Sequence, residues 1–415
     1  MIKAAQEGIA EDVVDAPEVS VQSDVVIIGA GAAGLSLAEQ LCSAAGQSSP
    51  AVRLVQAPAG PLRPPARTWC FWESGAGRYD EAVTAAWGRM RVRSPSGQLV
   101  EAGTGSLQYK MIRSTDFEAA LERRFAGQRA LTRTEGTVEA VDETAGGAQV
   151  LVRLADGTVE KLSARWVFDS RPLGTLPPAR TTLLQHFRGW FVRTTQPVFD
   201  PDCVELMDFR TPQPERGLAF NYVLPTSPFT ALVEYTQFSA SVLPGERYDR
   251  ALQSYLRSVL DVRDFHVEAH EEGVIPMTDG QFARQCGEST FRIGAAGGAT
   301  RPSTGYAFAA IQRQTAAIAA SVHAGRHPLP PAPHSKRSLA MDAVLLHALA
   351  SGRLDGPAFF TRLFSRVPAE RLLRFLDGAT TWGEDLAIGL NSPIVPLVRS
   401  AVTLPSRPLR PSPTH

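Results

Sequence analysis

Apolar residues along this chain recur at two periods, and the switches between them mark its elements. Ser23–Gly29 (SDVVIIG) is a short β-branched run ending in glycine, the pattern of a strand buried on both faces. Leu35–Ala45 carries apolar positions at helical spacing, and Val52–Gln56 (VRLVQ) returns to a strand, so the three together predict a βαβ unit. Residues 57–66 are rich in proline and glycine and read as loop. Met111–Phe125 predicts a helix capped by Ser114 or Thr115, with Phe117, Leu121 and Phe125 on one stripe. Residues 131–168 give strand signals, with Asp156-Gly157 as a hairpin turn. The run to Phe168 ends in Asp169-Ser170-Arg171-Pro172, where the chain returns to the first sheet. Strands are again expected over 184–240, a helix over 246–265, strands at 272–277 and 291–294, and a helix over 306–325. From 337 onward three helical pieces follow: Leu339–Leu349, Phe359–Phe364 and Leu372–Leu376. Residues 1–22 are acidic without a strong period and read as a loose tail.

Composition narrows the class. The chain has 415 residues, 44% hydrophobic and 20% charged, which allows a large core in two or three subdomains. Lys plus Arg balances Asp plus Glu at 42 each, so attraction to nucleic acid is not expected. Cys42, Cys70, Cys203 and Cys286 lie far apart without CxxC spacing, and no pair of histidines stands at ligand spacing. Neither a disulfide framework nor a metal site is expected, and free thiols suit a cytoplasmic protein. No apolar h-region opens the chain, and no run approaches the ~20 apolar residues of a spanning helix.

Two glycine-rich turns carry the candidate chemistry. In Gly29-Ala-Gly31-Ala-Ala-Gly34, Gly29 makes the tight turn, Gly31 admits a pyrophosphate and Gly34 lets the helix sit close on the sheet. The following helix offers unpaired N–H groups to phosphate. The second region, Phe291–Phe308 (FRIGAAGGATRPSTGYAF), lies more than 250 residues later. A flavin bound in extended form needs one phosphate cradle and a separate platform for its ring system. The pair therefore favours FAD over NAD, with Gly294, Gly297, Gly298, Pro302, Gly305 and Tyr306 beside the flavin. A helix beginning near Tyr306 would aim its positive end at the flavin pyrimidine edge and stabilise a reduced anion. The second strand should end in an acid for the adenosine ribose. Gln56 stands there instead and can accept one such bond through its amide oxygen, without charge assistance.

Across these and further segments the chain resembles the flavin-dependent lycopene cyclases of the bacterial β-cyclase type. The match runs in order through the GAGAAG loop, RTWCFW at 67–72, YKMIRSTDF at 109–117, FDSRP at 168–172 and QHFRGWFV at 185–192. It continues through LMDFR at 206–210, YVLP at 222–225, LVEYTQFS at 232–239, EGVIPM at 272–277, the second glycine region and LDGATTWGEDL at 376–386. The family usually has an acid where Gln56 stands. Small residues such as Ala295 follow the second Ile-Gly in the cyclases, where more distant FAD hydroxylases carry Asp.

The resemblance implies an α/β fold. A Rossmann-like FAD domain of the glutathione-reductase and aromatic-hydroxylase kind would comprise 23–180 and 272–325, with an inserted β-rich substrate domain over 181–271 and a helical C-terminal region over 334–405. It implies a lycopene β-cyclase of the intramolecular lyase or isomerase class. The reaction would be a non-redox, acid-catalysed closure of lycopene's acyclic ends, with reduced FAD as cofactor and NAD(P)H only as the flavin's reductant. Glu234 of LVEYT is the implied acid. On an alternating strand a glutamate is by default a surface residue; the family match reverses that. Trp69 and Trp72 offer faces that stabilise a passing cation, or they pack a core. Asp169 touches the cofactor or caps its turn. Asp279 and Glu271-Glu272 read as polar loop residues. Lycopene and related acyclic carotenoids are insoluble, so the protein is expected on the cytoplasmic membrane as a peripheral enzyme. The arginine-flanked stripes of 339–376 and the short apolar segment Pro393–Val402 are candidates for the contact. The alternatives are a redox FAD enzyme, either a prenyl reductase or a monooxygenase, and a non-enzymatic prenyl-lipid carrier that has kept the dinucleotide fold.

Overall fold

The computed structural model describes residues 19–43 and 49–411. The chain runs β1 (Val19–Ile28), α1 (Ala32–Cys42), β2 (Val52–Gln56), β3 (Thr68–Ser74), β4 (Val83–Trp87), β5 (Arg89–Arg93), β6 (Leu99–Gly103), β7 (Leu107–Arg113), α2 (Ser114–Phe125) and β8 (Leu131–Glu135). It continues through β9 (Thr137–Thr144), β10 (Gly147–Arg153), β11 (Val159–Asp169), β12 (Thr182–Thr194), β13 (Cys203–Asp208), β14 (Leu218–Ser227), β15 (Thr230–Ser239), α3 (Gly245–Ser254), β16 (Phe265–Thr278) and β17 (Thr290–Arg292). Six helices close it: α4 (Phe308–His323), α5 (Lys336–Ala350), α6 (Gly356–Arg366), α7 (Ala369–Leu376), α8 (Trp382–Leu390) and α9 (Ile394–Thr403).

The first sheet has the order β8-β2-β1-β11-β10-β9, with β17 alongside the end of β11. Its centre is parallel, and β1 to α1 to β2 is the βαβ unit the periodicity predicts. Strand β1 begins at Val19, four residues earlier than predicted, because Val19–Gln22 extends the pairing with β11. Residues 1–18, the greater part of the expected tail, lie outside the described residues, as do Ala44 and Ala45 at the predicted end of α1. Gly157, at φ +87°, turns β10 into β11 at the predicted hairpin, where the Thr158 amide donates to the Asp156 carboxylate at 2.9 Å. Helices α1, α2 and α4 cover one face, with Leu35, Leu41, Phe117, Leu121, Phe308 and Ile318 packed on Val25, Ile27 and Leu54.

The second sheet has the order β16-β12-β15-β14-β13-β5-β6. Strands β5 and β6 enter it from residues 89–103, which the sequence places in the first domain, and β16 runs as one strand through the boundary at 271/272. Both differences arise because a sheet is completed by pairing partners remote in sequence, which no local period records. One face packs on α3 through Val233, Tyr235, Tyr248 and Leu252. The other meets α5 to α7 and the small sheet β3-β7-β4 through Leu218, Phe220, Leu232, Phe238, Leu346, Phe360 and Leu372. The helix expected over 246–265 is α3, extended by one wide turn to Val259. Strand β16 then begins at Phe265.

Candidate active site

The first glycine loop is built as its spacing predicts. Gly29 lies at φ +96°, and a side chain there would collide with the Ser170 hydroxyl, itself held by the Ile28 carbonyl at 2.8 Å. A Cβ on Gly34 would overlap the Gly29 carbonyl oxygen, so only glycine lets α1 start this close to the sheet. Gly31 faces open space, and as N-cap it makes no side-chain bond, so the N–H groups of α1 point unpaired into that space. A helix N-terminus of this form suits an anion.

The second glycine region comes to the same place. Gly294 has φ +65°, and its Cα stands where a Cβ would be 2.9 Å from Ala33 of α1. Gly298 and Gly305 also have positive φ, at +80° and +74°. A side chain at Gly305 would strike Gln185 of β12, whose buried Oε1 has no hydrogen-bond partner among the described residues. A glycine platform beside an unsatisfied amide oxygen, with a phosphate cradle at the other end, fits a long dinucleotide with a polar ring edge. Helix α4 begins at Phe308, two residues beyond the Tyr306 start anticipated, and its N-cap Ala307 makes no side-chain bond. Pro302 is buried in the turn between. The turn is anchored by Arg301, whose guanidinium pairs with Asp342 of α5 at 3.2 Å and donates to the Phe375 carbonyl at 2.7 Å; Ser303 also donates to Asp342.

Two residues expected at the cofactor also bond within the protein. Gln56 Oε1 accepts from Arg133 at 2.8 Å in an exposed contact, which leaves its second lone pair for a ribose hydroxyl. Asp169 holds the Arg171 backbone amide and guanidinium at 2.7–3.1 Å and so caps its own turn.

Glu234 lies on β15, flanked by β12 and β14, and is buried at 9% exposure. The default of a surface glutamate on an edge strand does not hold. Alternation sends Leu232, Glu234 and Thr236 to the face under the C-terminal helices and Val233 and Tyr235 to the face under α3. Burial pushes the Glu234 carboxyl up to about 8, the neighbouring Glu271 adds to the rise, and the Thr236 hydroxyl at 2.7 Å opposes it. A carboxyl so placed keeps its proton at neutral pH.

Around it stand groups that sequence reasoning missed. Tyr222 of β14 is in register with Glu234, and Tyr306 bonds Tyr109 of β7 hydroxyl to hydroxyl at 3.0 Å. Burial pushes all three phenols up, so they remain neutral. Tyr109 and Tyr222 lie in the family-like segments 109–117 and 222–225, but only tertiary contact joins them to the glycine turn. Strand β3 separates the two tryptophans. Trp72 stacks on Tyr109 and meets Tyr306 edge-on at 4.8 Å, next to Cys70 on the acid's side. Trp69 points the other way and packs on Phe117 and Phe308 in the first domain's core. Glu271 and Glu272, read as loop, are on β16: Glu272 faces outward to Arg188, and Glu271 faces inward.

Among the described residues the four cysteines are free and no cluster of His, Cys, Asp or Glu could hold a metal. His186 is a core histidine, pushed down to about 4 by burial and held by Tyr248 and Ser239.

The lycopene cyclase protein family matches residues 24–402. The chain belongs to the lycopene cyclase family. No curated protein matches its sequence. Among solved structures it is similar to a geranylgeranyl bacteriochlorophyll reductase-like protein from Thermoplasma acidophilum, with TM-score 0.60 and 11% identity over 93% of this chain and 100% of that one. A flavoprotein/dehydrogenase from Cytophaga hutchinsonii gives TM-score 0.60 and 13% identity over 93% and 99%. A p-nitrophenol 4-monooxygenase from Pseudomonas putida gives 0.57 and 11% over 94% and 99%. At these identities the likeness is one of fold: this lycopene cyclase family member has the Rossmann-like α/β architecture of flavoproteins.

Proposed function

We propose that this member of the lycopene cyclase family is a lycopene β-cyclase. It closes the acyclic ends of lycopene into β-ionone rings, giving γ-carotene and then β-carotene, with no net redox change. The observation that carries the reading is Glu234: a buried carboxyl, raised to about 8, on the face it shares with the neutral phenols of Tyr222 and Tyr306. An alkene is a very weak base, so its protonation needs an acid that is both positioned and desolvated. The cation that results needs a cavity without nucleophiles and with electron-rich faces, which Trp72, Tyr109, Tyr222 and Tyr306 supply.

FAD is the proposed cofactor, its pyrophosphate at Gly29, Gly31 and Gly34 and its ring system beside Gly294, Gly297, Gly298, Pro302, Gly305 and Tyr306. In its reduced form it would supply anionic charge that stabilises the cation without being consumed, and NAD(P)H would serve only to reduce it. Gln185 Oε1 is placed to accept from the ring edge. Gln56, bonded to Arg133, would offer its remaining lone pair to the adenosine ribose.

The substrate reaches the enzyme from a bilayer, and the proposed docking face is α8 and α9. The stripes of α5 to α7 are turned into the core. By contrast Trp382, Leu386, Leu390, Ile394, Val395, Val398 and Val402 are 51–74% exposed. Residues 386–415 contain no acid and three arginines, which suits an anionic lipid surface. No single helix among the described residues is long and apolar enough to cross a membrane; α8 and α9 meet at a bend of 117°. The exposed apolar residues of α8 and α9 support a peripheral enzyme on the cytoplasmic membrane.

The test is anaerobic incubation of the flavin-loaded protein with lycopene in liposomes and chemically reduced flavin. The expected products are cyclic, with the flavin still reduced, and Glu234→Gln abolishes them while flavin stays bound. A saturated or hydroxylated product refutes the reading.

A further inference from the structure

Strand β12 lies between β15 and β16, and its Gly189 is in register with Glu234 on one side and Glu271 on the other. Residues in one register row share a face. Both carboxyl arms therefore rise from the face that meets the tyrosine cluster, their Cα atoms about 10 Å apart across two strand spacings. The row has no side chain at its middle. A Cβ on Gly189 would lie 2.7 Å from Leu232 Cδ1 and 3.4 Å from Glu234 Cβ, so only glycine lets the Leu232 and Glu234 side chains pack down over the middle of the row.

Their surroundings differ in sign. Glu234 faces neutral groups from each packed element: Thr236 on its own strand, Tyr222 of β14, Cys70 of β3 and Tyr306 of the glycine turn. The charged group acting on it is Glu271. Glu271 accepts from the Thr68 hydroxyl of β3 at 2.8 Å and feels the guanidiniums of Arg67 and of Arg113 at the end of β7. Two like groups held in environments that part them define an acid and a base.

We propose that Glu234 and Glu271 share one proton as a split pair, in which Glu234 gives the proton that starts ring closure and ionised Glu271 takes the proton that leaves the ring. This rests on the cyclase reading. The steps balance. The terminal alkene's π pair takes the Glu234 proton to form a C–H bond and leaves a tertiary cation. The π pair of the internal alkene forms the ring C–C bond and moves the charge to a ring carbon. The adjacent C–H bond then breaks: its proton goes to the Glu271 carboxylate and its electron pair becomes the ring double bond. Transfer of that proton from Glu271 back to Glu234 restores the pair, with no electron gained or lost. Burial raises both carboxyls, while Thr68, Arg113 and Arg67 hold Glu271 back, which keeps it the ionised member.

The test is the pH profile of turnover on lycopene vesicles by the flavin-loaded enzyme, for wild type, Glu271→Gln and Thr68→Val. The profile should be bell-shaped, with Glu271 on the acid limb and Glu234 on the alkaline limb. Glu271→Gln removes the charge that raises Glu234, so its alkaline limb should move down by about one pH unit and its turnover fall about 100-fold or more. Thr68→Val removes only the hydroxyl that favours ionised Glu271, so its acid limb should move up while the alkaline limb stays. A Glu271 that acts only as a nearby charge moves the alkaline limb without the loss of turnover. Unmoved limbs in both variants, or Glu271→Gln at wild-type turnover, overturn the pair while leaving the cyclase reading intact. Absence of cyclic product from wild type overturns the cyclase reading instead. Thr68→Val carries the decision by itself if Glu271→Gln does not retain flavin.

Discussion

Replacing Glu234 with glutamine tests the buried acid through stability, independently of any substrate. In the unfolded chain this carboxyl titrates at its ordinary 4.5, and in the fold near 8. Between those values the native state binds the extra proton. Stability from this group is therefore fully present below about pH 4.5 and is lost progressively as pH rises through about 8. The size follows from about 1.4 kcal/mol per pH unit, which makes the full loss about 5 kcal/mol as an upper figure. The near-complete burial of Glu234 calls for little discount for solvent screening. Glutamine keeps the shape and a hydrogen-bond acceptor for Thr236 but has no charge to bury. The variant should match wild type within about 1 kcal/mol near pH 4.5, exceed it by about 3 kcal/mol at about pH 7 and by more at about pH 9. Urea unfolding of both proteins at matched pH, followed by tryptophan fluorescence, reads the difference. Other titrating groups are common to the two proteins, and the coupled Glu271 is controlled for by repeating the comparison in a Glu271→Gln background. A difference that stays flat from about pH 5 to about pH 9 would refute the protonated acid and remove the basis for its catalytic role.

The glycine cradle makes opposite predictions at two positions. Gly34→Ala drives a methyl into the Gly29 carbonyl and should cost about 1–3 kcal/mol along with bound flavin, whereas Gly31→Ala meets open space, keeps the fold and loses only flavin affinity. Thermal unfolding and flavin absorbance separate the two. For the docking face, a triple variant with Trp382→Glu, Leu386→Glu and Val398→Glu should lose at least about 100-fold in partitioning to anionic vesicles, since each side chain is worth about 1.5–3 kcal/mol on full burial. Flotation measures this. Unchanged flotation would place the contact elsewhere.

Much of this protein was legible in its sequence, where local rules suffice. The βαβ unit, the Asp156-Gly157 hairpin and the purpose of Gly29 and Gly34 follow from period, turn chemistry and the bare backbone that close approach requires. The ordered sequence words gave the family, and Glu234 stood out through them rather than through its own strand. What only the tertiary structure decided depends on pairing at a distance. Which sheet owns β5 and β6, that Trp69 and Trp72 face different cores, and that Gln56 bonds Arg133 are all fixed by partners tens of residues or more away. The same is true of Glu271. Its identity and neighbours in sequence give a polar pair of glutamates, and alternation alone cannot say which one turns inward. Registry across Gly189 sets it opposite Glu234, and burial under the tyrosines makes the two carboxyls feel each other. Sequence supplies the groups, but their ionisation is set by desolvation and by the distances between charges, which exist only in the folded chain.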